Sequence, residues 1–312
     1  MNIEEFNKRV HQVSTKYESI YSSIESVFRT FYELPLLEGS KIKNPLEVYG
    51  QLKFVAEGIR NDVVSGEFGS DRAIILNKYD MMQHVNLHLE QAREYVVNGE
   101  RLILTRPQYI EICTRTLITL LYPLNHNTDM IVDLAGGWGH RLFDLYLGGI
   151  RSEKYVLLER SAAARQCSDL VYSLFNNFFE FSCYHFDWNN LEDMPVFENQ
   201  RNVILFSACG IESVPKFVYE TFDVLIEKFP HVENLCGVHL ESITFQIPTE
   251  KYNNPLRYGR DKQNAVNRKE NMDFYKKLSR TKKVCIQHVN PGIFELDWDG
   301  RSMSTLIWKL GK

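Results

Sequence analysis

The densest concentration of chemistry in this sequence is Asp133-Leu134-Ala135-Gly136-Gly137-Trp138-Gly139, where an apolar run from Met130 ends in an acid and a turn of small residues. Small side chains let a backbone approach a ligand closely, and a helix N-terminus following such a turn favours polar groups. The carboxylate of Asp133 would repel a pyrophosphate but can pair with the ammonium of an amino-acid moiety. Twenty residues past Gly139, Tyr155-Val156-Leu157-Leu158 ends in Glu159, an acid placed to accept both hydroxyls of a ribose, with Arg160 beside it. His185-Phe186-Asp187-Trp188 then puts an acid next to an aromatic, which suits the amino group and the face of an adenine. Ser207-Ala208-Cys209-Gly210 is a second small-residue turn.

Catalytic candidates follow the next apolar run. His239 and Glu241 lie two apart, on one strand face, so that Glu241 could orient a His239 base; an ordinary hydrogen-bonded strand histidine is the competing reading. Glu212 is either a third base candidate or a cap on a helix starting near Pro215. Thr249 to Lys283 holds eleven Lys or Arg against four Asp or Glu, a local excess of +7 that reads either as a solvated helical face or as a lid for an acidic substrate. Within it Tyr252, Arg257 and Tyr258 are the substrate-binding candidates.

These residues need elements to hold them. From Met130 onward short apolar runs alternate with helix-length stretches, which predicts a parallel sheet with helices on both faces. Strands are expected at 130–134, 155–158, 181–184, 203–206, 236–240, 284–289 and 303–308, giving a doubly wound seven-stranded α/β sheet. The last two runs are too close for an intervening helix and should form an antiparallel hairpin. Upstream, Phe6, Val10, Val13, Tyr17, Ile20, Ile24, Val27 and Phe31 form a helical stripe, either a seam between two subunits or a face packed on its own chain. Further helices are expected after Asn44-Pro45, over 76–97 and from Thr105, so residues 1–125 read as a helical N-terminal domain and 126–312 as the sheet domain.

The four strand ends, in this order and spacing, resemble the first four motifs of the class I S-adenosylmethionine-dependent methyltransferases. The resemblance covers about Met130 to Trp308 and implies S-adenosylmethionine as cofactor, with the glycine loop facing its methionine part, Glu159 its ribose and Asp187 its adenine. Ser207 and Ala208 would then lie at the mouth of the substrate pocket. The implied reaction is methyl transfer to an oxygen or nitrogen of a small molecule such as a sugar or secondary metabolite. One residue departs from the pattern: Ala135 stands where the family loop has its first glycine, and a reshaped loop is expected there. Ala135 and the N-terminal stripe leave a second reading open, a non-catalytic cofactor-binding or activating subunit.

Composition excludes other classes. The chain of 312 residues is 44% hydrophobic and has a net charge of −4, which gives no overall attraction to nucleic acid or anionic membrane. No run of about 18 apolar residues and no basic-then-apolar leader appears, so a cytoplasmic protein is expected, acting on a small molecule and dimerising, if at all, through its N-terminal helices. The six cysteines show no metal or disulfide spacing and read as reduced core residues. His84 and His88 have helical spacing, but Val85 stands where a zinc-protease motif needs glutamate, so no metal is expected.

Overall fold

The computed structural model describes residues 15, 17–26, 28–29, 46, 48–50, 52–53 and 56, and 92–312 except 174, 176–177, 212–213, 215–216, 218–219, 249–254, 269, 297–300 and 312. His84 and His88, most of the 76–97 stretch, Glu212 and Tyr252 lie outside the described residues. Arg257 and Tyr258 fall on a described helix, but their side chains lie outside the description.

A hairpin opens the continuous part. β1 (Arg93–Val97) and β2 (Glu100–Leu104) turn at Asn98 and Gly99, both with positive φ (51° and 86°). That pair of left-handed residues matches the right-handed twist of the flanking strands, and Asn-Gly is the dipeptide that adopts it most readily. The hairpin falls where a helix was expected, so the helical N-terminal domain does not extend through residues 93–104. α1 (Arg106–Leu121) starts as expected, with Thr105 and Gln108 capping reciprocally and Pro107 in the first turn.

Next come β3 (Met130–Leu134), α2 (His140–Leu147), β4 (Lys154–Glu159), α3 (Ala162–Ser173), β5 (Glu180–His185), β6 (Asn202–Ala208), α4 (Thr221–Glu227), β7 (Asn234–Glu241), α5 (Pro255–Arg268), α6 (Phe274–Arg280), β8 (Val284–Leu296) and β9 (Arg301–Leu310). All strands join one sheet in the order β2-β1-β8-β9-β7-β6-β3-β4-β5. β5, β4, β3, β6 and β7 are parallel, and β9 inserts antiparallel between β7 and β8. The seven expected strands are therefore present, and the β1–β2 hairpin, pairing with β8, raises the count to nine.

Both faces of the sheet are covered. Met130, Val132 and Leu134 point to one face and pack with Phe222, Leu225, Phe274 and Leu278 from α4 and α6. Ile131 points to the other, with Leu117 and Leu121 of α1 and Leu142 and Leu145 of α2. A third cluster lies on the outside of α2 and α3, where Ile20, Ile24, Phe28, Tyr49 and Leu52 pack on Trp138, Phe143, Val171 and Phe175. In its described part, then, the N-terminal stripe packs on its own chain. Of the cysteines, all free, Cys167 and Cys236 are buried while Cys285 is exposed, so the core reading does not extend to Cys285.

Candidate functional site

The chain runs outward from β3 through β4 to β5, then returns to build β6 and β7 on the other side of β3. That reversal opens a crevice at the carboxyl ends of β3 and β6, the place where open α/β sheets bind ligands. The loops after these two strands are built alike. Ala135 (φ 62°) follows β3 and Cys209 (φ 58°) follows β6, both left-handed without being glycine, and each is followed by a glycine. Ala135 thus takes a left-handed conformation that glycine adopts freely, and the alanine bears a local strain of about 1 kcal/mol. A side chain on Gly210 would crowd Ala135, its β-carbon 3.1 Å from that of Ala135, so the two loops touch at these small residues.

Each loop is held by a glutamate from the next strand outward. Glu159, at the end of β4, accepts from the amides of Gly137 and Ser161, each at 2.8 Å. Glu241, at the end of β7, accepts from the amides of Gly210 and Ile211, each at 3.1 Å. Burial raises the Glu159 pKa, opposed by these amide bonds. The Arg160 amide also acts on this carboxylate, and with about four acceptor sites in all Glu159 remains able to accept from a ligand.

Asp133 behaves differently. It is fully buried on the α2 face of β3, and neither carboxylate oxygen accepts a hydrogen bond from any described residue. A β-carbon on Gly136 would overlap this carboxylate, which places the acid beneath the loop. The carboxylate proposed from sequence to pair with an ammonium is thus covered by the loop. Burial pushes the Asp133 carboxyl up to about 7, with Arg141 opposing and Glu159 adding to the shift. Ser168 and Tyr172 of α3 bring two more buried hydroxyls without described partners to this region; Ser168 Oγ would lie 3.0 Å from a β-carbon on Gly139.

The other candidate residues have protein neighbours. Asp187 accepts from the Asn189 amide at 2.9 Å and faces Arg160 at 3.3 Å, so the adenine candidate and its neighbour form an ion pair at the rim. Trp188 is buried against Phe186 and Phe217, with centroids 5.0 and 5.1 Å away, and contributes to the core instead of an adenine surface. Ser207 is fully buried and bonds to His239 Nδ1 at 2.8 Å. Trp308 Nε1 donates to His239 Nε2 at 2.8 Å. An indole can only donate, so Nε2 is the acceptor and Nδ1 carries the proton given to Ser207. Burial holds the His239 pKa down to about 3, and the ring is neutral, saturated and enclosed. The expected base is a structural histidine, and Glu241 braces a loop without touching it. Gly237, paired with Trp308 in the register, has no β-carbon because the indole occupies that space.

Known proteins add little. No family model matches the chain, and no curated protein does. Among solved structures, the O-methyltransferase from Bacillus cereus in complex with SAH is 12% identical, with 67% of this chain and 82% of that one covered at a TM-score of 0.40. The methyltransferase domain of bacterial CtHen1-C is 13% identical over 64% of this chain and 97% of that one, TM-score 0.41. The B. subtilis M1A22 tRNA methyltransferase is 12% identical over 62% and 65%, TM-score 0.37. Likeness at this level carries no functional argument, which has to come from the chain's own residues.

Sequence reasoning missed one residue at the loop. Tyr21, buried on the N-terminal helical segment 17–26, brings its hydroxyl against Gly137, where a β-carbon would overlap it. Just past β7, Ser242 has a buried hydroxyl without a described partner. α5, which carries Arg257 and Tyr258, packs on β9 and on the turn Thr244–Gln246 beyond the end of β7, at the same edge of the sheet as the two loops. Among the described residues no cluster could hold a metal ion and no helix is long and apolar enough to cross a membrane.

Proposed function

We propose that the chain binds S-adenosylmethionine at the β3–β6 crevice and transfers its methyl group to an oxygen or nitrogen of a small molecule. The observation that carries this reading is the sheet: five parallel strands completed by an inserted antiparallel β9, with the glycine loop at the point where strand order reverses. An all-parallel dinucleotide fold lacks that insertion, and Asp133 beneath the loop disfavours a pyrophosphate.

The residues fit the cofactor. Gly136, Gly137 and Gly139 with Ala135 form its cradle, Glu159 is bonded into that cradle with acceptor capacity left for ribose hydroxyls, and Asp133 is a buried acid without a described partner. Arg160 and Asp187 would flank the adenine. A negative charge beneath the loop favours a ligand that carries positive charge, as a sulfonium amino acid does. Bound there, S-adenosylmethionine supplies a methyl group open to direct displacement, leaving the protein to align the acceptor and exclude water. With His239 enclosed and bonded at both ring nitrogens, and Glu241 engaged in bracing the β6 loop, the acceptor's proton falls to other groups, and Glu212 stays a candidate. Arg257, Tyr258 and Tyr252 remain the substrate-binding candidates in the +7 segment, which suits an acidic acceptor. The N-terminal segment, packed on α2 and α3, acts as a cover of the site.

Incubating the purified chain with S-adenosylmethionine and a panel of small hydroxyl and amine acceptors, with S-adenosylhomocysteine formation as readout, tests the reaction. Turnover that disappears in Glu159→Ala supports it. Cofactor binding without turnover on any acceptor class would favour the activating-subunit reading.

A further inference from the structure

The glycine loop is approached from two sides. From the sheet, Glu159 holds the Gly137 amide; from outside, the Tyr21 hydroxyl lies so close that a β-carbon at Gly137 would overlap it and would sit 3.0 Å from the ring carbon bearing that hydroxyl. The atom nearest the loop is the polar tip of the side chain, a group that can donate to and accept from a ligand seated there. Its helical segment is fixed in register. The Glu18 carboxylate accepts from the Ala163 amide at 3.1 Å in the first turn of α3, Cys167 Sγ lies 3.7 Å from the Tyr21 carbonyl, and Ile20 and Ile24 are buried among Trp138 and its neighbours. Further along, Lys53 pairs with Asp144 of α2 at 2.7 Å, and Tyr49 donates to the same carboxylate at 2.8 Å.

We propose that Tyr21 is a ligand-contacting residue of the crevice, its hydroxyl bonding the cofactor where that molecule meets Gly137, so that the N-terminal helical segment forms one wall of the site. This rests on the reading of the crevice as an S-adenosylmethionine site. The glycine at 137 then serves two purposes: it takes a left-handed φ of 61°, and its bare α-carbon admits both ligand and phenol.

Calorimetric binding of S-adenosylhomocysteine to the full chain tests it, with Tyr21→Phe, Tyr21→Ala and the neighbouring Tyr17→Phe. Losing one neutral hydrogen bond to the ligand should weaken binding about three- to tenfold in Tyr21→Phe, measured on protein whose circular dichroism matches the wild type. Tyr21→Ala should weaken it further, and Tyr17→Phe should bind like wild type. Wild-type affinity in Tyr21→Phe overturns the proposal, as does tighter binding in Tyr21→Ala, which would make the phenol a plug. If the wild type itself does not bind, the underlying reading fails, a result distinct from binding that ignores Tyr21.

Discussion

The loops after β3 and β6 share a backbone design and differ in what lies beneath them. Both begin with a left-handed residue other than glycine, both continue with glycine, and both are fastened by a glutamate from the adjoining strand. Next to the β6 loop the polar groups satisfy one another: Ser207 bonds His239, His239 bonds Trp308, and Glu241 takes two amides. Beneath the β3 loop Asp133 keeps two carboxylate oxygens without described partners in complete burial. A buried polar group that is satisfied rigidifies a fold; one that is not costs stability and is tolerated where a ligand makes use of it. The difference separates a scaffold loop from a binding loop, although sequence had marked both as functional.

The largest effect should come from removing the scaffold brace. Glu241→Ala leaves the Gly210 and Ile211 amides without acceptors and should cost about 3 kcal/mol in urea unfolding. An unchanged midpoint would dissolve the distinction between the loops. His239→Leu strands Ser207 and Trp308 and should cost about 2 to 3 kcal/mol at pH 7. Its pH dependence carries a sign: the folded pKa of about 3 lies below the usual 6.5, so the unfolded chain binds the extra proton. Stability from neutral His239 is complete above pH 6.5 and is lost as pH falls toward 3, and His239→Leu should flatten that fall.

Asp133→Asn should act in the opposite direction. Its folded pKa of about 7 lies above the ordinary 3.8, so its contribution is complete below pH 3.8 and is lost as pH rises through 7. The variant should therefore gain on the wild type between pH 4 and pH 8, while binding S-adenosylhomocysteine more weakly. A variant less stable than wild type at pH 8 would show that Asp133 has a partner after all. The smallest effect is Ala135→Gly: relief of left-handed strain, less the entropy glycine gains on unfolding, leaves a gain of no more than about 0.5 kcal/mol by thermal unfolding.

Much of this was legible in the sequence. The β3 run and its glycine turn read correctly because period, small residues and the following helix agree locally, and the closing hairpin followed from the short spacing of its strands. The β1–β2 hairpin was lost because Tyr95, Val96 and Val97 extended an apparent helical stripe that overrode the Asn98-Gly99 turn. His239 and Glu241 were misassigned for another reason: a strand end advertises acids and imidazoles, while the partners that saturate them, Trp308 at 69 residues and Gly210 at 31, appear only when the sheet closes. Tyr21 was invisible in the same way, since no local signal ties a helix near the N-terminus to a glycine at 137.

The most direct test is calorimetric titration of S-adenosylhomocysteine into the full chain, beside Glu159→Ala and Glu241→Gln. Micromolar binding by the wild type, lost at least a hundredfold in Glu159→Ala and retained in a folded Glu241→Gln, is the expected result. No binding by well-folded wild-type protein would contradict the assignment of the β3 loop as a cofactor site.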